Sequence, residues 1–254
     1  MTEEQCLVSV VVPTRNEALN VAPLVGRLAS ALAAFEGRWE VVFVDDSDDS
    51  TPSRVTALQG RALPVELLHR LPGERKGGLG GAVCTGFEKA RGEVIAVMDA
   101  DLQHPPEVLP ALIRPVLEGE VDLVAGSRYT ASGTAGGLSG PWRHLVSTGL
   151  RRLVHLAIGR SRALDDPLSG LFAFRRSLLD DAALRPDGYK ILLEVVVRCR
   201  PEKVANYGFH FAPRHAGNSK ADLHEGLVFF RLVWRLARAE RRPSRSLLTA
   251  GLGR

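Results

Sequence analysis

Five times in the first half of the chain, a short run of β-branched and apolar residues gives way to a polar or glycine-rich break, and four of the five are followed by a helical stretch. Residues 7–12, 41–44, 65–68, 94–98 and 123–125 are the strand candidates, and residues 18–35, 52–59, 80–91 and 106–118 the intervening helices. That alternation is the pattern of βαβ units, so the expected fold is α/β, with a mostly parallel sheet flanked by helices. Thr51 followed by Pro52 reads as an N-cap before a first-turn proline. A chain of 254 residues, 45% hydrophobic and 24% charged, suits one such domain with appendages. Residues 130–140 are rich in Gly, Ser and Ala and read as a mobile loop. From Trp142 the pattern changes to arginine-bearing helices, and from about Arg241 the sequence reads as a disordered basic tail.

In open parallel sheets ligands collect beyond the carboxyl ends of the strands, and here those ends carry residues 13–17, 45–49 and 99–103. Asp99 and Asp101 are two residues apart after a buried strand, and Gln103 places an amide oxygen two residues further on. Oxygen donors of this kind suit Mg²⁺ or Mn²⁺, which one or two carboxylates hold together with substrate phosphates. A pair of aspartates at a strand end also caps turns, and the second acidic group, Asp45 and Asp46, is what favours a binding site. Asp48 and Asp49 read as solvated turn residues, and Glu17 on its own as a first-turn helix residue. His104, before Pro105 and Pro106, reads as a loop residue rather than a base. Lys76 and the glycines at 77, 78, 80 and 81 precede a helix whose N-terminus suits phosphate, although a flexible connection explains them equally.

The net charge of +4 points to a polyanionic partner, which leaves phosphate-bearing substrates, anionic lipid and nucleic acid open. Aromatics are only 6% of the chain and do not interleave with the basic residues, so no nucleic-acid partner is expected. Cys6, Cys84 and Cys199 show no metal or disulfide spacing, which suits a reducing, cytoplasmic compartment. No apolar run is long enough to span a bilayer, so a membrane would be met from its inner face, peripherally.

Taken together, the segment from Val10 through Pro13, Arg15 and Glu17, the Val44-Asp45-Asp46 end and Asp99-Ala100-Asp101-Leu102-Gln103 resemble family 2 glycosyltransferases. Lys76-Gly77-Gly78-Leu79-Gly80, Gly126-Ser127-Arg128-Tyr129, Asp166-Pro167-Leu168-Ser169-Gly170, Gly188-Tyr189-Lys190 and the stretch from Arg214 to Lys220 extend the resemblance, with dolichol-phosphate mannosyltransferases as the branch it resembles most. The resemblance implies a GT-A catalytic domain over residues 1–220, followed over 221–254 by a C-terminal amphipathic helix and basic tail. It implies that Pro13, Glu17, Val44 and Asp46 hold the nucleotide, that Arg15, Lys76 and Ala100 also bind substrate, and that Asp99, Asp101 and Gln103 surround the metal and diphosphate. Asp101, Arg128, Arg214 and Lys220 match catalytic positions, and Arg143 and Ser147 match contacts to a lipid phosphate. Arg15 stands where the family has an aromatic, so base stacking there falls to a guanidinium plane, and guanine and uracil both stay open.

The implied reaction is inverting transfer of a hexose, mannose from GDP-mannose first, to a polyprenyl or dolichyl monophosphate; another donor such as UDP-glucose, or a soluble acceptor, is the alternative. None of Gln5, Gln59 or Gln103 begins the Gln-x-x-Arg-Trp motif of the processive synthases in this family. A phosphate monoester suits a site without a base, because its second pKa of about 6 leaves it ionised near neutrality. Two stretches could lie on an anionic membrane surface: residues 142–158, which mix Trp142, Leu145, Leu150 and Leu153 with Arg143, Arg151 and Arg152, and residues 223–239. In the second, Leu227, Phe230 and Trp234 share one helical side and Arg231, Arg235 and Arg238 a neighbouring one. Packing on the chain's own sheet is the competing explanation for both.

Overall fold

The computed structural model describes residues 6–36, 38–59, 64–130, 141–180, 182–185, 188–212 and 223–241, and the side chains of residues 141–147, 223–225 and 227 lie outside that description. The strands are β1 (Val8–Thr14), β2 (Trp39–Asp45), β3 (Val65–His69), β4 (Val94–Val97), β5 (Leu123–Ser127), β6 (Phe172–Arg175) and β7 (Val204–Gly208). They form one sheet in the order β3-β2-β1-β4-β6-β5-β7. Only β6 is reversed, antiparallel to both β4 and β5, while the remaining neighbours are parallel. All five expected strands are present, and β1, β2, β3 and β5 run further than expected.

β6 and β7 correct the expectation that only helices follow Trp142. β6 is four residues long and β7 mixes Asn206 and Gly208 with apolar positions, so neither carries a periodic signal. Pairing with β4 and β5 makes β6 a strand, and pairing with β5 does the same for β7. The helices are α1 (Val21–Leu32), α2 (Thr51–Gln59), α3 (Gly78–Lys89), α4 (Leu109–Leu117), α5 (Pro141–Ala157), α6 (Ile191–Arg198) and α7 (Leu223–Glu240). Thr51 is the first residue of α2 rather than its cap. Asp49 takes that role, its Oδ1 accepting the Thr51 N–H at 2.9 Å.

Strands buried on both faces read as continuous apolar runs because alternate residues serve opposite layers. Val8, Val10 and Val12 pack with Leu24 and Leu28 of α1 and Leu112 and Ile113 of α4. Val11, Ile95 and Val97 face the other way, onto Val83 and Phe87 of α3 and Ile191 and Val195 of α6. Each such fully buried leucine or valine contributes on the order of 1.5–3 kcal/mol. At Gly86 a Cβ would lie 2.4 Å from Val11 Cγ1, so α3 reaches the sheet only because that residue has no side chain.

α5 and α7 build a third layer on α6, where Val154, Ile158, Leu193, Phe229, Leu232, Val233 and Leu236 bury together. Buried Glu194 of α6 ties the layer to the body, accepting hydrogen bonds from the Arg185 N–H at 2.7 Å and Arg198, with Arg235 of α7 at 3.4 Å. Arg235 therefore turns inward, with Nη2 also donating to Arg185 O at 2.6 Å, and does not line the outer face with Arg231 and Arg238 as expected.

Candidate active site

The carboxyl ends of β1, β2 and β4 share one edge of the sheet, with β1 between the other two. After β1 the chain turns at Asn16, whose φ is +59°, a conformation asparagine tolerates better than most residues. Its N–H donates to Ser47 Oγ at 2.7 Å, and its Oδ1 accepts the Asp48 N–H at 2.9 Å. The Glu17 N–H donates to Thr51 Oγ1 at 2.9 Å, which ties this loop to the start of α2. Glu17 precedes α1 instead of lying in its first turn, and Asn20 Nδ2 donates to its Oε2. Arg15 is exposed beside this turn, and Pro13 is buried beneath it.

The β2 end is a closed network. Fully buried Asp45 accepts from Thr14 Oγ1 at 2.7 Å and Ser47 Oγ at 2.5 Å, and His69 Nδ1 lies 2.7 Å from its Oδ2. Asp46 receives both arms of Arg70, at 2.7 and 2.6 Å, and both side chains are 9% exposed. The Arg70 fork also donates to Gly78 O at 3.1 Å, which fixes the turn leading into α3. At that turn Gly77 and Gly78 have φ of +77° and +57°, and Lys76 is exposed. Asp48 pairs with Arg75 at 2.7 Å, a bond that holds its carboxyl below the usual range. Asp48 and Asp49 are thus structural ties, not merely solvated turn residues. Val44 is fully buried against Val42 and Ala82, so it fills the wall beneath the site.

The β4 end differs. β4 stops at Val97, and Met98 makes a last bond to Val11 O at 3.3 Å. Ala100 and Leu102 are buried, and Leu102 has φ of +62°, a strained setting for leucine. That reversal brings Gln103 back so that its N–H donates to Asp101 Oδ1 at 3.0 Å. Gln103 and Ala212 are joined twice, Ala212 N–H to Gln103 O at 3.0 Å and Gln103 Nε2 to Ala212 O at 3.2 Å. Asp101 is buried, while the Asp99 side chain is 39% exposed. A Cβ at Gly170 would come within 2.7 Å of Asp99 Oδ2, so the glycine leaves room for that carboxylate.

His104 lies behind Asp99, 3% exposed, with its ring edge-on to Phe209 at 5.5 Å and Phe211 at 5.7 Å. Burial pushes its pKa below the ordinary value, against the pull of Asp99 and Asp101. At the end of β5, Arg128 pairs with buried Asp166 at 2.7 and 3.1 Å and packs over the rings of Phe211 and Tyr129. Burial works against its charge, and the bonds and charge of Asp166 outweigh that, holding its pKa above the ordinary value. Two of its nitrogens serve Asp166, which leaves Nη1 to face other groups.

The sequence therefore located both acidic ends but missed Arg70, the counter-charge of Arg128 and the Phe209–Phe211 backing. Arg70 was within reach, because it follows β3 at the same edge as the other clusters. Arg214 and Lys220 lie outside the described residues, and Arg143 and Ser147 fall on α5 with side chains outside that description.

Residues 9–182 match the family model described as Glycosyl transferase family 2. The chain belongs to that family. This glycosyltransferase is 38% identical over 237 residues to a dolichol-phosphate mannosyltransferase of Pyrococcus furiosus, which covers 92% of this chain and 64% of the relative. It is 36% identical over 240 residues to the dolichol-phosphate mannosyltransferase of Mycosarcoma maydis, covering 90% of this chain and 77% of that one. The chain thus spans just under two thirds of the archaeal relative's length. Among solved structures, glucosyl-3-phosphoglycerate synthase from Mycobacterium tuberculosis, in complex with Mn²⁺, UDP and glucosyl-3-phosphoglycerate, superposes with a TM-score of 0.65 at 21% identity. It covers 94% of this chain and 81% of its own, and it shares the GT-A fold.

Proposed function

We propose that this glycosyltransferase moves a hexose, mannose from GDP-mannose, onto a polyprenyl or dolichyl monophosphate at a membrane surface. The observation that carries the reading is the half-exposed Asp99 beside buried Asp101 at the end of β4, two strands from Asp46 in a chain akin to dolichol-phosphate mannosyltransferases. Two strand spacings are about 10 Å, within the reach of a nucleoside diphosphate.

The donor set fits a hard cation. Asp99 and Asp101 supply carboxylates, and Gln103, whose Nε2 is engaged by Ala212, supplies Oε1. Two carboxylates and an amide are the partial shell that Mg²⁺ or Mn²⁺ takes when substrate phosphates complete it. Bound there, the ion would neutralise charge on the departing diphosphate. Pro13, Arg15, Glu17, Val44, Asp46, Lys76 and Ala100 frame the nucleotide, the pair of Asp46 with Arg70 keeping that wall rigid. The acceptor phosphate is already ionised, so the chain's task is to supply cations that position it. Arg128, Arg143, Arg214 and Lys220, with Ser147, take that role; Asp166 aims Arg128. Attack on the anomeric carbon from the face opposite the diphosphate inverts its configuration, with no covalent sugar-enzyme intermediate.

No helix among the described residues is long and apolar enough to cross a membrane. In this reading residues 1–220 form the catalytic domain, and α7 with the chain beyond it rests on anionic lipid beside α5. Supporting it, α7 buries Phe229, Leu232, Val233 and Leu236 but leaves Phe230 and Trp234 more than half exposed, with Arg238 over the Trp234 ring at 4.6 Å. Leu156 of α5 is also exposed. Aromatic residues flanked by arginines suit an interface, where each basic residue adds about 1 kcal/mol.

The test is a screen of GDP- and UDP-sugars against a short-chain polyprenyl phosphate with Mg²⁺ or Mn²⁺, reading product and anomeric configuration. A β-linked product from GDP-mannose is expected. Transfer only to a soluble acceptor, or an α-linked product from an α-linked donor, would overturn the reading.

A further inference from the structure

We propose that His104 is a positioning residue that sets the Asp99 carboxylate for its cation through the Asp99 main chain, an inference that rests on the metal site proposed above. Asp99 lies beyond the last ladder bond of β4, so its N–H has no strand partner. His104 Nδ1 accepts that N–H at 3.3 Å. An amide hydrogen can only be donated, so Nδ1 is the bare nitrogen, the ring proton sits on Nε2 and the imidazole is neutral.

The ring's own placement is over-determined. Phe209 and Phe211 back it, Leu102 is held at positive φ two residues before it, and Pro105 restricts His104 to an extended backbone. On the carboxylate itself, His104 Nδ1 stands 3.5 Å from Oδ2, and Gly170 closes the other side. Asp99 is therefore confined between a rigid ring and a bare backbone, an arrangement that orients a metal-binding oxygen without the ring touching the ion. Outer partners of this kind cost about 10–100-fold in metal affinity when removed.

Three variants of the full chain separate this role from packing. His104→Phe keeps an aromatic ring and loses the acceptor, His104→Asn returns an oxygen to the Nδ1 position, and His104→Gln moves the amide to the Nε2 position. Mn²⁺ affinity is read from the loss of the free-Mn²⁺ EPR signal, with GDP and with UDP present in separate samples and protein-free controls subtracted. The Phe and Gln variants should bind Mn²⁺ about tenfold or more weakly, and the Asn variant within about threefold of wild type. Should the Phe variant fail to fold, the Asn and Gln pair decides the matter. Equal Mn²⁺ binding by wild type and a folded Phe or Gln variant overturns the inference, as does an Asn variant as weak as Gln. Absence of Mn²⁺ binding by the wild type would instead remove the proposed metal site, and this inference with it.

Discussion

Asp46 and Asp99 follow strands on either side of β1, yet Asp46 is locked into a two-bond pair with Arg70 and is 9% exposed, whereas Asp99 is 39% exposed and makes no salt bridge to arginine or lysine among the described residues. The chain supplies its own cation to the β2 end, through Arg70, with the His69 ring against Asp45, and leaves the charge at the β4 end open to an outside one. Two acidic clusters that look alike in sequence thus do different work. The first is a finished wall that holds shape before any ligand arrives. The second, which we propose as a coordination shell, is held in a strained turn by Leu102 and braced by Ala212.

Breaking the finished wall should carry the largest cost. Arg70→Ala leaves Asp46 buried without its counter-charge and frees the turn at Gly78, so unfolding free energy should fall by about 3–5 kcal/mol in chemical denaturation. A denaturation midpoint equal to wild type would show that the pair is dispensable and the contrast false. At the other cluster the loss should fall on turnover. Asp101→Asn keeps the shape of the side chain while removing a ligand charge, so kcat should drop roughly 10²–10³-fold, about 2.7–4 kcal/mol of transition-state stabilisation, at a nearly unchanged melting temperature. Unaltered metal-dependent turnover would rule Asp101 out as a ligand.

This division of labour was only half visible in the sequence. Strand ends rich in Asp are easy to see because they follow β-branched runs, and the sheet's parallel half could be read from that periodicity. What neutralises each carboxylate could not be read, because Asp46 meets Arg70 across 24 positions and Arg128 meets Asp166 across 38. Register sets those encounters: β2 pairs with β3 so that Asp45 faces His69, which puts Asp46 and Arg70 side by side. β6 escaped notice for a related reason, since four residues between two strands need no pattern of their own. Residues 142–158 and α7 were legible as amphipathic helices, and packing on the body accounts for only part of their apolar residues: one face packs on α6, while Phe230, Trp234 and Leu156 stay outside.

The smallest effect is the one that best sharpens the contrast. Asp99 is 39% exposed and makes no salt bridge to arginine or lysine among the described residues, so Asp99→Asn without metal should change unfolding free energy by less than about 0.5 kcal/mol, far below the Arg70 variant. With Mn²⁺ and GDP added, the wild type should gain stability by mass action, about 1.4 kcal/mol when the ion stands at ten times its dissociation constant. In a chain of this size that is a rise of roughly 3–6 °C in melting temperature. The Asn variant should show little of that rise at the same Mn²⁺ and GDP concentrations, because the site loses half its carboxylate charge. A variant that melts with the full Mn²⁺-dependent gain would place the cation elsewhere, and an Asn variant destabilised as much as Arg70→Ala would mean that Asp99 belongs to the finished wall rather than to the open shell.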